Sequence, residues 1–106
     1  SIPRFDEEIE LAVYRIAQEA LANAVRHADA RTIVVTLTLA AGRLCLVVRD
    51  DGCGFDAEPG THAEALGLVS MRERALALGG VFEVVSAPGE GAVVRLECPL
   101  VSRAVA

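Results

Sequence analysis

The order of periodicities along this chain predicts an α+β fold. The expected architecture is a two-layer α/β sandwich, with a mainly antiparallel mixed sheet covered on one face by helices. Three observations carry the prediction. A long stretch of helical apolar spacing opens the chain, two strand-period segments follow it, and a shorter helical segment with a second pair of strand-like runs closes it. With 106 residues and over half of them hydrophobic, the chain is expected to form one domain spanning 1–106, with a core that needs no disulfide staples.

The first helix is expected from about Asp6 to His27. Asp6 suits the N-cap, and Glu7, Glu8 and Glu10 suit the positive end of the helix dipole. Ile9, Ala12, Val13, Ile16, Ala20 and Ala24 recur at helical spacing, and a second apolar row at Leu11, Tyr14 and Leu21 suggests burial on more than one side. Between Thr32 and Asp50, Ile33, Val35, Leu37 and Leu39 alternate with Val34, Thr36 and Thr38, the period of a strand. Residues 40–43 read as a turn. The run from Leu44 to Arg49 is then a nearly continuous apolar strand, expected to be central and to pair with the first as a hairpin.

Asp51 to Leu66 holds Gly52, Gly54, Pro59 and Gly60 between acidic residues and reads as a loop, long enough to suggest a functional role. A shorter helix follows over Gly67 to Leu78, with Leu68, Met71, Ala75 and Leu78 on its buried face and Gly79 and Gly80 ending it. Val81 to Ser86 and Ala92 to Cys98 read as strands joined by a turn over Ala87, Pro88, Gly89, Glu90 and Gly91.

Composition removes several functional classes. The net charge of −5 argues against nucleic acid as a partner, because a phosphate-tracking surface leaves a basic footprint. All ten basic residues are Arg. A Walker-type phosphate loop and a protein-kinase fold each require a Lys, so any nucleotide is bound in another way. No apolar run approaches the roughly 20 residues that span a bilayer, and no direct membrane contact is expected. Cys45, Cys53 and Cys98 lack zinc-ligand spacing and read as small buried hydrophobes in a reducing compartment.

Three places along the chain have the residue types for chemistry. Glu19, Asn23 and His27 are spaced by four and share a helix face. Asn is a mediocre helix former, and its oxygen is a possible Mg²⁺ ligand; a solvated polar face has the same spacing. Asp50, Asp51, Gly52, Cys53 and Gly54 follow the apolar strand directly. There an ionised Asp accepts hydrogen bonds and glycines permit close backbone approach, although a tight acidic turn has the same composition. Gly67 opens the second helix, where free N–H groups favour an anion, with Arg72 and Arg74 further along. The run from Gly52 to Ala57 fits a dinucleotide fingerprint by letter. That fingerprint must open a helix, and Glu58, Pro59 and Gly60 follow instead.

Taken together, "IAQEALANAVRHADA", "VRDDGCGFD" and "LGLVSMRERALALGG" resemble, in order, the N box and two glycine boxes of the gyrase, heat-shock chaperone, histidine kinase and mismatch-repair ATPases. The "MRERA" helix followed by two glycines resembles the nitrate-sensor-like subfamily of sensor histidine kinases. The resemblance runs from about Leu11 to Leu100 and implies the histidine kinase ATPase fold. It implies an enzyme module that binds Mg·ATP and donates the γ-phosphate to a histidine on a separate dimerisation/phosphoacceptor domain, from which a response regulator takes it.

By this resemblance Asn23 binds Mg²⁺ bridging the phosphates, and Glu19 beside it polarises a water or the attacking group. Arg26 and His27 flank the phosphates, and Asp50 accepts from the adenine amine with Gly52 and Gly54 giving the base room. Asp56 to Leu66 forms the ATP lid, with His62 in it incidental. Gly67 and Leu68 offer backbone N–H groups. Two positions depart from the family's pattern: Ala65 stands where a Gly is usual, and Ala92 where a Thr is frequent. Alternatives are a degenerate nucleotide-binding or docking module and an anti-sigma-factor-like serine switch kinase; a chaperone or DNA-repair ATPase is disfavoured by length. The isolated domain is expected to be monomeric and the parent kinase a cytoplasmic homodimer, with membrane anchoring of the parent left open.

Overall fold

The structure is a computed structural model that describes residues 7–26, 29–54 and 67–100. Two helices, α1 (Glu7–Arg26) and α2 (Leu68–Ala77), lie against a four-stranded sheet of β1 (Ile33–Ala40), β2 (Arg43–Asp50), β3 (Val81–Ser86) and β4 (Ala92–Pro99). The sheet order is β1-β2-β4-β3, and every pairing among the described strands is antiparallel. No parallel pair occurs among them, so the mixed character expected from the sequence is absent from this part of the chain.

The strands alternate as their sequences predict. In β4, Ala92, Val94, Leu96 and Cys98 are buried, and the last three pair with the buried Val48, Leu46 and Leu44 of β2. α1 supplies Ile9, Ala12, Ile16 and Ala20 to the same core, and α2 supplies Leu68, Met71 and Ala75. Burying a Leu or Ile here contributes about 1.5–3 kcal/mol relative to exposure. The central position expected for β2 follows from this pattern, since it is flanked by β1 and β4.

The extent of the helical layer limits burial in two places, and at the second of them an expectation fails. Val35 and Leu37 share the core-facing side of β1, yet both stay about half exposed (47% and 50%), because β1 is an edge strand. The second apolar row of α1 is also outside the core: Leu11, Tyr14 and Leu21 are exposed. Only two helices cover the described sheet, so α1 is buried on one side.

α1 ends at Arg26, and the expected N-cap Asp6 lies outside the described residues. α2 starts one residue later than expected. Gly67 is its N-cap, with φ of 69°, a left-handed conformation that favours Gly. At the other end Leu78 donates back to Ala75 and Gly80 donates to Ala75, which closes the last turn.

Candidate functional site

The structure gathers the predicted residues into two clusters. The first lies where α1 meets the start of α2. Gly67 sits against the Glu19 side chain so closely that a Cβ there would lie 2.6 Å from Glu19 Oε1. The left-handed φ favours glycine, and the close contact, which a Cβ would keep only by displacing the Glu19 side chain, brings the acidic residue of the first helix to the N-terminus of the second. Met71 N–H donates to the Gly67 carbonyl at 3.0 Å, which makes the first helical turn. The N–H groups of Leu68, Val69 and Ser70 precede that bond and have no acceptor within the helix. The Leu68 side chain is buried and anchors this end in the core. One turn beyond Glu19 on the same helix, Asn23 is the buried polar residue of the described chain, 8% exposed. A buried amide needs hydrogen-bond partners, which distinguishes Asn23 from the solvated polar face its spacing also allowed.

The second cluster follows β2. Asp50 ends the strand, half-buried, and its Oδ1 accepts the Gly52 N–H at 2.8 Å. An ionised carboxylate has about four acceptor sites, so this turn contact leaves capacity for an incoming donor. Asp51 points the other way. Its Oδ1 accepts N–H bonds from Arg31 and Thr32, both at 2.9 Å, and its own N–H donates to the Thr32 carbonyl. The Thr32 and Arg31 N–H groups hold the Asp51 carboxyl below the usual carboxylate range. The loop is also fastened on its far side, because Gly89 N–H donates to the Cys53 carbonyl. Gly54, at φ 68°, packs against the backbone carbonyls of Ala87 and Gly91. Gly91 in turn packs against the Asp50 carbonyl.

The two clusters share one end of the sandwich. Ala30 N–H returns to the Ala24 carbonyl near the end of α1, and the next residues, Arg31 and Thr32, bond to Asp51. The connection after α1 is therefore tied to the loop that carries Asp50. Arg26 closes α1 and is exposed, and His27 lies outside the described residues, as do the expected lid over Asp56 to Leu66 and the substituted position Ala65. Ala92 is buried opposite Asp50.

Two structural roles in these clusters were not foreseen from the sequence. Gly54 was expected to make room for a base; in the fold its missing Cβ makes room for the β3–β4 turn. Asp51 was not assigned a role, and it fastens the loop to the α1–β1 connection. Neither is visible along the chain, because both partners lie far away in sequence. Arg72 lies over the Phe82 ring, 5.4 Å from its centroid, and Arg74 borders a cleft with Glu8, Leu11 and Ala12. That cleft, about 160 Å³, is smaller than the roughly 300–1,000 Å³ typical of a ligand site. Among the described residues no group of three His, Cys, Asp or Glu side chains is arranged to hold a metal.

An antiparallel sheet under two helices, with an Asn-bearing helix, a post-strand Asp-Gly loop and an unbonded helix start at one end, defines a nucleotide-type ATPase domain. The chain matches the family described as histidine kinase-, DNA gyrase B-, and HSP90-like ATPase over residues 8–102, and it belongs to that family. Within it, the chain is an ATPase domain of the sensor histidine kinase kind. It is 39% identical over 100 residues to the oxygen sensor histidine kinase NreB of Staphylococcus carnosus, covering 94% of this chain and 29% of that one. It is 40% identical over 92 residues to the sensor histidine kinase LiaS of Bacillus subtilis, covering 87% of this chain and 25% of LiaS. The chain thus spans under a third of these relatives.

Among solved structures, the ATP binding domain of PrrB from Mycobacterium tuberculosis superposes with a TM-score of 0.66 at 28% identity, covering 90% of this chain and 68% of that one. The blue-light activated histidine kinase of Erythrobacter litoralis gives 0.65 at 30% identity, over 84% of this chain and 30% of that one.

Proposed function

We propose that this domain binds Mg·ATP and donates its γ-phosphate to a histidine on a separate dimerisation/phosphoacceptor domain in two-component signal transduction. A response regulator then takes the phosphate onto an Asp. The observation that carries this reading is the meeting of Glu19 with the N-terminus of α2 at Gly67. It places N–H groups with no acceptor in their own helix, which favour an anionic phosphate, beside an acidic side chain able to orient a water or the attacking group.

The residues present fit the proposed ligand. Asn23 supplies a protein oxygen to Mg²⁺, whose remaining positions suit water and phosphate. The metal, when bound, neutralises phosphate charge. Gly67 and Leu68 present N–H groups to phosphate, with Arg26 and His27 flanking it. Asp50 accepts from the exocyclic amine of adenine, held in place by the Gly52 N–H. Gly54 supports that loop from behind through its contact with the β3–β4 turn. Glu19 orients or polarises the attacking group. No Lys takes part, in agreement with a chain that has none. Such a site works by positioning and charge stabilisation, so without an acceptor histidine in reach the domain is expected to turn ATP over very slowly. A response regulator as partner would put the parent kinase's catalytic part in the cytoplasm, with or without a membrane anchor. Among the described residues no helix is long and apolar enough to cross a membrane.

Calorimetric titration with a non-hydrolysable ATP analogue, with and without Mg²⁺, tests the reading. The wild-type domain binds in a metal-dependent way, and Asp50→Ala loses binding at least about tenfold, the size of one charge-assisted hydrogen bond. Melting curves keep loss of fold apart from loss of binding. Unchanged affinity in Asp50→Ala removes Asp50 from the adenine site. No binding at millimolar analogue turns the reading toward a docking module, with Ala65 and Ala92 as the first positions to restore.

A further inference from the structure

The outward face of α1 presents an apolar seam outside the core, one end of which, Leu11, also borders the small cleft against α2. Leu11, Tyr14, Leu21 and Val25 are exposed at 55%, 58%, 37% and 65%. With Gln18, also exposed, they are spaced three, four, three and four residues apart over more than three turns. That spacing is the heptad repeat of a helix that packs lengthwise on another helix. Opposite the seam, Ile9, Ile16 and Ala20 hold the helix on the sheet.

The residues beside the seam identify the second helix. With Leu11, Gln18 and Val25 at the a positions and Tyr14 and Leu21 at d, Glu10 falls at g and Arg15 at the following e. In a parallel two-stranded seam, a g residue faces the partner's e residue five positions later. Glu10 and Arg15 are five apart. Glu10 of one copy therefore meets Arg15 of a second copy, and the reverse pair forms across the two-fold axis. Among the described residues neither is engaged in a hydrogen bond or ion pair. Gln18 stands at the central a layer, where a polar residue pairs with its own symmetry mate and fixes register. An antiparallel alignment of the same helix forms neither of these matches.

We infer that α1 is a self-association surface, through which two copies of this domain pair with their α1 helices parallel and the sheets facing outward. This departs from the monomer expected for the isolated domain. It does not depend on the nucleotide reading, because Glu19 and Asn23 face away from the seam toward α2 and the core. Two heptads make an interface at or below the low end of stable complexes, about 1,200 Å², so the pairing is weak and depends on concentration. In a parent chain that holds two copies together by other means, effective concentrations in the millimolar range are enough to form it. The two nucleotide-binding halves would then be coupled through the helix that carries Asn23.

Sedimentation velocity of the domain from about 10 µM to about 1 mM tests the inference, since weak interfaces of this size dissociate in that range. The wild-type domain shifts from monomer to dimer across the series. Tyr14→Glu and Glu10→Arg each abolish the shift, while Glu10→Arg combined with Arg15→Glu restores it. Circular dichroism melts confirm that the variants fold; all the substituted positions are exposed. A domain that stays monomeric at 1 mM overturns the inference. So does a dimer indifferent to Tyr14→Glu, which would place the contact elsewhere. A double charge swap that fails to restore association rejects the parallel register inferred from Glu10 and Arg15.

Discussion

Gly67→Ala tests the junction on which the site depends. Gly67 has φ of 69° and ψ of 18°, and an added Cβ would lie 2.6 Å from Glu19 Oε1 and 2.9 Å from its carboxyl carbon. The left-handed conformation costs an alanine about 1–2 kcal/mol. The contact falls on the end of a flexible side chain, so Glu19 moves off its rotamer at about 0.5–1.5 kcal/mol. Alanine recovers about 0.4–1 kcal/mol by restricting the unfolded chain. The net loss is about 1–2 kcal/mol, a fall in Tm of about 5–10 °C for a domain near this size. Differential scanning calorimetry reads it. Adding Glu19→Ala to Gly67→Ala relieves the contact and leaves the backbone strain, so the double variant recovers only part of the loss. A Gly67→Ala domain that melts at the wild-type temperature refutes the left-handed start of α2. Full recovery by Glu19→Ala shows that the contact alone carried the cost.

Gly54→Ala is more damaging, because its Cβ would meet the backbone carbonyls of Ala87 and Gly91, which cannot step aside; a loss of about 2–4 kcal/mol in urea denaturation is expected. Asp51 has its folded pKa lowered by the Thr32 and Arg31 N–H groups, so its stabilisation is present above the unfolded carboxylate value, about 3.9, and is lost as pH falls through the lower folded value. Asp51→Asn accordingly flattens the fall of the urea midpoint between pH 5 and pH 3; an unchanged slope would mean that Asp51 is not the group titrating. Burial pushes the Cys98 thiol up, while Cys53 is exposed. A thiol reagent on the native domain at neutral pH labels Cys53 first and Cys98 only on unfolding, as mass spectrometry of the peptides will read.

Most of the fold was legible because the elements are locally consistent. β4 alternates without a break from Ala92 to Cys98, and α1 repeats its apolar residues at helical spacing from Ile9 to Ala24. Periodicity gave which residues alternate and not how far the opposite layer reaches. Val35 and Leu37 have the pattern of a buried strand, and only the position of β1 at the sheet edge leaves them half exposed. The second row of α1 failed for the same reason. An apolar residue at helical spacing shows that something packs there, and it does not say whether that partner is the domain's own sheet.

The site separates in the same way. Asp50 was legible as an acceptor because it follows a buried strand and precedes a glycine, both local facts. What Gly54 and Asp51 do was hidden, because their partners are 33 or more and about 20 residues away in sequence. Their function is to fix the loop from two sides, to the β3–β4 turn and to the α1–β1 connection. A carboxylate that recognises one ligand edge must be held within a fraction of an ångström, and a free glycine loop holds nothing. The glycines that first suggest room for a ligand are therefore what let the protein's own backbone close in behind Asp50. On the proposed reading, recognition at this site rests on that packing as much as on Asp50 itself.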